Sequence, residues 1–157
     1  MSKTSSTFGY NQDGQLISYA KGSSGWTYKY DGDGLRASKT AGTATTGETW
    51  DVAEGLPLLV QDGSTSYVTG VGGVPLEQIG ANSTVYYYYQ DQLGSTRALL
   101  DGSGNTVDTY AYNPYGNLSS STGSVANPFK YAGQYTDAES GLQYCGRATT
   151  TPAPSNF

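Results

Sequence analysis

The chain has 157 residues, a formal charge of −5, 13% charged residues and no histidine. These bounds leave one domain or a piece of a larger one. They exclude an imidazole base and a histidine-containing metal site, and a pI of 4.4 excludes a basic nucleic-acid footprint. Tyr (15) and Gly (22) are abundant while Phe and Trp number only 3 and 2. That balance fits β-structure with ring-bearing faces better than disorder, which would also need a high net charge.

In chain order, Met1–Thr7 lacks an apolar core, so no signal peptide is expected. Nowhere does a stretch approach the roughly 18 apolar residues of a membrane span. "FGYNQDGQL" begins at Phe8, "YKYDGDGLR" at Tyr28 and "YAYNPYGNL" at Tyr110. Each reads aromatic–x–Tyr–(Asn/Asp)–x–x–Gly, the mark of a repetitive array. Tyr10 to Tyr30 is 20 residues and Tyr30 to Trp50 another 20. Trp26, Tyr28 and Tyr30 alternate with Thr27 and Lys29, which predicts three rings on one face of a strand. Asp33-Gly34 predicts a tight turn, with Leu35 and Ala37 alternating with Arg36 and Ser38 on the return strand. Asp13-Gly14, Asp62-Gly63 and Asp101-Gly102 predict the same turn chemistry. "GTATTGE" (42–48) and "NLSSSTGSVANP" (117–128) read as loops. "STRALLD" (95–101) is too short for a helix. Together these features predict an all-β fold, an antiparallel repeat sheet of successive β-hairpins. Such hairpins cannot close a core alone, so the sheet reads as a segment of a larger wall.

The units "YNQDGQL" and "YDGDGLR", with "DQLGSTR … YNPYGN … GQYTDAESGL" in that order, resemble the Rhs or YD-repeat family over roughly Tyr10–Tyr144. One departure is Tyr89, where the family often carries His. The resemblance implies a segment of a β-cocoon shell, commonly enclosing a C-terminal toxin domain. It divides the chain into YD-type hairpin repeats (1–85), the Rhs repeat-associated core motif region (86–144) and a tail (145–157). Family members usually continue past "GL-x-Y" with a segment like "LRARYYDP", whereas this chain reads "CGRATTTPAPSNF". A codon choice for Tyr144–Phe157 exists in which one inserted C restores YLRARYYDPSTQQF. Residues 145–157 are therefore expected to be out-of-frame and without order. The Asp-Pro segment at which many members cleave themselves is missing, so no catalytic residue is carried over.

Asp137 and Glu139 form a nominal carboxylate pair, but "YTDAESG" reads as a turn with both solvated. Asp13, Asp31, Asp33 and Asp101 beside Gly do not match a calcium loop. Gly70–Pro75 ("GVGGVP") reads as a turn or bulge, not a phosphate loop. Arg97 is expected in a structural ion pair. Tyr86–Tyr89 should place one pair of rings inward and one outward. Cys145 has no His partner and is discarded as a nucleophile. No catalytic, cofactor-binding or metal residue is expected. The expected function is a non-enzymatic shell fragment of a polymorphic toxin. Its partners are the remaining repeats of the parent shell and the toxin domain, without nucleic acid, in a secreted or cell-surface parent protein. The alternative is an adhesin or carbohydrate-binding module using outward tyrosines.

Overall fold

A computed structural model describes residues 5–53, 55–144 and 149–150. The chain divides into two compact units between Gly63 and Ser64. The first contains β1 (Ser6–Tyr10), β2 (Leu16–Lys21), β3 (Ser24–Tyr30), β4 (Arg36–Ala41), β5 (Ala44–Asp51) and β6 (Leu58–Asp62). Each strand pairs antiparallel with the one before it. The second unit repeats that plan with β7 (Thr65–Thr69), β8 (Pro75–Ile79), β9 (Val85–Gln90), β10 (Thr96–Leu100), β11 (Thr106–Tyr112) and β12 (Leu118–Thr122). It adds a short antiparallel pair, β13 (Tyr135–Thr136) and β14 (Gln143–Tyr144). The described helical pieces are 3-10 turns at Val71–Gly73 and Tyr131–Gly133. The fold is all-β and built of successive hairpins.

The turns explain the repeat. The Asn11 side-chain oxygen accepts the N–H groups of Asp13 and Gln15 at 3.1 and 2.9 Å. Asp31 does the same for Asp33 and Leu35, Asp91 for Leu93 and Ser95, Asp101 for Ser103 and Asn105, and Asn113 for Tyr115 and Asn117. The residue three places on is a left-handed glycine: Gly14, Gly34, Gly94, Gly104 and Gly116, with φ between 76° and 84°. An Asx side chain at the first position and a glycine at the fourth are therefore what the spacing encodes. Asp31, not Asp33, organises its turn, and at Asp101 the left-handed residue is Gly104 rather than Gly102.

The opposite ends of the first-unit hairpins use two-residue links, Gly22-Ser23 and Gly42-Thr43, with φ of 60° and 58° at the glycines. A left-handed Gly in the first place matches a type II′ link, which suits the twist of paired strands. It also corrects the reading of 42–48 as a loop. Only Gly42 and Thr43 turn, and β5 begins at Ala44. Likewise Leu118–Thr122, inside the stretch expected to be loop, is strand β12. Both strands are rich in Ser and Thr and largely exposed, so they lack the apolar alternation that marks a buried strand.

The predicted ring face is present. Tyr28 is buried with Trp26 and Tyr30 half-buried, while Thr27 and Lys29 are exposed. The return strand departs from simple alternation. Lys29 pairs with Ser38 but Tyr30 pairs with Arg36, leaving Ala37 as a bulge. Leu35 and Arg36 are consequently both buried and Ala37 is exposed. The expected division at 85/86 is spanned by a ladder, Ile79 with Val85 and Gln78 with Tyr86. Of the expected tail 145–157, Thr149–Thr150 form a two-residue strand, β15. The rest, including Cys145, lies outside the described residues.

Candidate functional site

The inward face of the first unit is a cross-strand row of rings. Phe8 meets Tyr19 at 5.1 Å between centroids and Tyr19 meets Trp26 at 5.4 Å, pairings that add stability beyond the buried area alone. Two polar locks sit beside it. The Tyr30 hydroxyl donates to the Leu16 carbonyl at 2.8 Å, and the Trp50 indole N–H donates to the Arg36 carbonyl at 2.7 Å. Both donors lie 14 residues beyond their acceptors, and the two locks are one 20-residue period apart. Each repeat is thus secured to the strand preceding it. In the second unit the Gln90 amide donates to the Pro75 carbonyl at 3.0 Å in the same relation to its turn. Arg36, fully buried, pairs with the buried Glu48 at 2.8 Å and lies 5.3 Å over the Tyr28 ring.

The second unit treats its inward face differently. After β12 the chain returns across it. Val125 N–H donates to Asp108 at 3.1 Å, and the Gln78 amide donates to the Ala126 carbonyl at 2.9 Å. The Thr96 hydroxyl donates to the Phe129 carbonyl at 2.7 Å and its N–H to the Lys130 carbonyl at 3.1 Å. The Ala132 N–H donates to the Ser95 hydroxyl at 3.0 Å. The Phe129 ring sits edge-on to Tyr67, Tyr88 and Tyr135 at 4.9, 6.1 and 6.0 Å. Gln78, Ser95, Thr96 and Asp108 would be costly at inward positions without partners. The returning backbone supplies them, save at Asp108 Oδ1, which is buried with no hydrogen-bond partner among the described residues.

The electrostatics are those of a dry, proton-retaining surface. Burial raises the Tyr88 phenol far above its ordinary value, and the hydroxyl donates to Gln78 at 2.6 Å. Tyr110 is raised by burial and then by Asp108, to which it donates at 2.9 Å. Burial pushes Tyr112 up to about 12 and lowers Lys130. Neutral phenols donating to amide and carboxylate oxygens fix geometry. They do not supply an activated nucleophile beside a base.

The sequence-derived candidates distribute as follows. Asp137 is fully buried, which overturns its reading as a solvated turn residue; Glu139 is half-buried. The turn is real, with Gly141 N–H on the Asp137 carbonyl, but it closes against β13 and β14. Arg97 lies 4.0 Å from Asp91 and 5.8 Å over the Tyr112 ring. Tyr86 and Tyr88 face inward, whereas Tyr87 and Tyr89 are exposed at 41% and 62%. Gly70–Pro75 forms a turn around Val71–Gly73. Asp13 and Asp33 are exposed within their turns, and Asp31 and Asp101 spend an oxygen on backbone N–H groups. A shallow cavity of about 310 Å³ is bordered by Thr65, Gln78, Asn82, Thr84, Tyr86 and Ser124; it does not include the outward tyrosines. Sequence reasoning missed Gln78, Ser95, Thr96 and Asp108. The available signal was strand alternation: Asp108 is two places from Tyr110, on the same face.

No family model matches the chain. It is 32% identical over 126 residues to the tRNA3(Ser)-specific nuclease WapA of Bacillus spizizenii and, equally, to the tRNA nuclease WapA of Bacillus subtilis (strain 168). In each case 75% of this chain aligns, and it spans 5% of the relative's length. Among solved structures, the TcdB2-TccC3 crystal structure superposes with a TM-score of 0.68 at 20% identity, covering 94% of this chain and 9% of that one. The Photorhabdus luminescens Tc holotoxin pore superposes with a TM-score of 0.71 at 21% identity, covering 96% and 9%. The likeness to these structures is one of fold.

Proposed function

Because this chain belongs to the Rhs/YD-repeat family, we propose that it is a non-catalytic wall segment of a toxin-associated shell whose parent protein is secreted or displayed at the cell surface. In that parent the remaining repeats would continue the sheet, and a C-terminal effector domain would be enclosed by it. The observation that carries this reading is the 20-residue lock. Tyr30 and Trp50 spend their donors on the preceding strand's carbonyl, so stability accrues from repeat to repeat. The phenols and amides that bond to neighbouring groups across this face, Tyr88 to Gln78, Tyr110 to Asp108 and Gln78 to Ala126, support a lining over an active site.

The test has two arms. The longer polypeptide carrying this segment and its effector is digested with a protease, beside a Thr96→Val/Phe129→Ala version. Enclosure predicts an effector region resistant in the first and degraded in the second; equal sensitivity contradicts it. The purified chain is also incubated with tRNA, the substrate class named for the relatives. No cleavage is expected, and cleavage abolished by one substitution would overturn the non-catalytic assignment.

A further inference from the structure

The segment that crosses the inward face of the second unit is held there as a ligand is held. Asp108 accepts the Val125 N–H, Gln78 donates to the Ala126 carbonyl, Thr96 donates to the Phe129 and Lys130 carbonyls, and Ser95 accepts the Ala132 N–H. On the segment's side all five bonds use main-chain atoms, which almost any residue supplies. On the sheet's side four of the five come from the side chains of Gln78, Ser95, Thr96 and Asp108. One ring adds selectivity: Phe129, 7% exposed, stands edge-on to Tyr67 and Tyr88. Between these anchors the fit is slack. Ser124 and Ala126 are exposed, and together with Val125 they border the cavity of about 310 Å³ opposite Thr65, Thr84 and Tyr86. The far half of the segment closes on itself, with the Thr136 N–H donating to the Pro128 carbonyl at 2.8 Å and the Lys130 N–H to the Gln134 carbonyl at 3.1 Å. Its near end turns at Gly123, φ 83°, where a Cβ would overlap the Asp108 carboxylate.

We propose that the inward face of β8–β11 is a peptide-recognition groove, filled by residues 124–132 as an intramolecular ligand, and that it takes in exchange another extended segment carrying one phenylalanine ring. Uncovered, the buried polar side chains of the face would be costly, so the face demands a main chain to bond. Main-chain bonds supply affinity with little sequence requirement, and the ring pocket between Tyr67 and Tyr88 supplies the one requirement there is. The tether keeps the native segment in place, because a linked ligand competes at an effective concentration on the order of 1 mM. The groove does not depend on what the wall encloses, so it can fail while the shell reading stands, and the reverse.

Fluorescence anisotropy of a dye-labelled peptide with the sequence of Ser124–Thr136, titrated with the full chain, tests it. The wild type should bind no tighter than about 1 mM, since its own segment occupies the groove. Phe129→Ala, whose own segment has lost its ring, should bind the peptide at least about tenfold tighter than the wild type does. Gly123→Ala, which strains the turn into the segment and leaves the ring pocket intact, should also bind more tightly than the wild type. Circular dichroism checks that each variant folds, and Gly123→Ala decides the matter if Phe129→Ala does not. Within the peptide, Phe129→Ala should return binding to the wild-type level. N-methylation at Val125 removes the N–H that Asp108 accepts and should weaken binding about tenfold. Ser124→Ala/Ala126→Ser in the peptide should change binding by less than about threefold, because neither side chain is read. Folded variants that bind no better than the wild type, a ringless peptide that binds equally well, or an N-methyl peptide that binds unchanged would each overturn the proposal.

Discussion

In the first unit, β1–β6, the inward face is held by elements that recur. A ring row crosses three strands, and two donors reach back 14 residues to a carbonyl in the preceding strand. In the second, β7–β12, one such reach-back recurs, from Gln90 to Pro75, but most of the face is held by partners outside the repeat. Gln78 bonds 48 residues away to Ala126, Ala132 bonds 37 residues back to Ser95, and Thr96 reaches 33 residues to Phe129. The comparison separates two ways of stabilising the same hairpin sheet. One adds a fixed increment per repeat; the other lays a single return segment over several strands. The second concentrates its stability in a few residues.

The largest effects should come from those concentrations. Phe129→Ala removes the ring shared by Tyr67, Tyr88 and Tyr135 and should cost about 3–5 kcal/mol in urea unfolding. Arg36→Met, which strips the guanidinium from the buried Glu48, should cost a similar 3–5 kcal/mol, roughly the penalty for breaking a buried pair. If Phe129→Ala were nearly silent, the return segment would not be the organiser of the second unit.

Smaller effects sharpen the contrast. Thr96→Val deletes a buried hydroxyl bond and leaves the Phe129 carbonyl without it, at about 1–3 kcal/mol. Tyr30→Phe deletes one periodic lock and should cost about 0.5–1.5 kcal/mol by the same measurement. Tyr112→Phe should cost nothing or stabilise slightly. The Tyr112 hydroxyl occupies the corresponding place at the end of β11 but is buried with no hydrogen-bond partner among the described residues, its ring turned to Tyr131 and Arg97.

Alkaline pH should act through the same rings. The folded state holds Tyr112 neutral to about 12, mainly by burial, and raises Tyr88 and Tyr110 as well, while an unfolded tyrosine ionises near 10. Stability is therefore complete below the unfolded value and falls as pH rises through the folded one. The urea midpoint should drop steeply above about pH 10, less steeply in Tyr112→Phe.

The sequence made the periodic part of this architecture legible. The ring stripe Trp26–Tyr28–Tyr30, the turns and the inward–outward split of Tyr86–Tyr89 all follow from short-range spacing, since strand alternation and Asx-x-x-Gly geometry are local. Three things were hidden. Strand β5 hid in "GTATTGE" because a polar exposed strand has the composition of a loop. The burial of Arg36 was hidden because a bulge at Ala37 resets the alternation by one residue. Asp137 and the Gln78, Thr96 and Asp108 contacts depend on segments 17 to 48 residues away or on closure of the β13–β14 turn, which no local pattern encodes.

Hydrogen exchange of the two indole N–H groups, followed by NMR on the intact chain, bears most directly on the repeat-to-repeat lock. Trp50 should exchange slowly because its N–H is committed to the Arg36 carbonyl, and Trp26, half-buried in the ring row, should exchange markedly faster. Equal rates for the two, or a faster Trp50, would contradict the lock on which the wall reading rests.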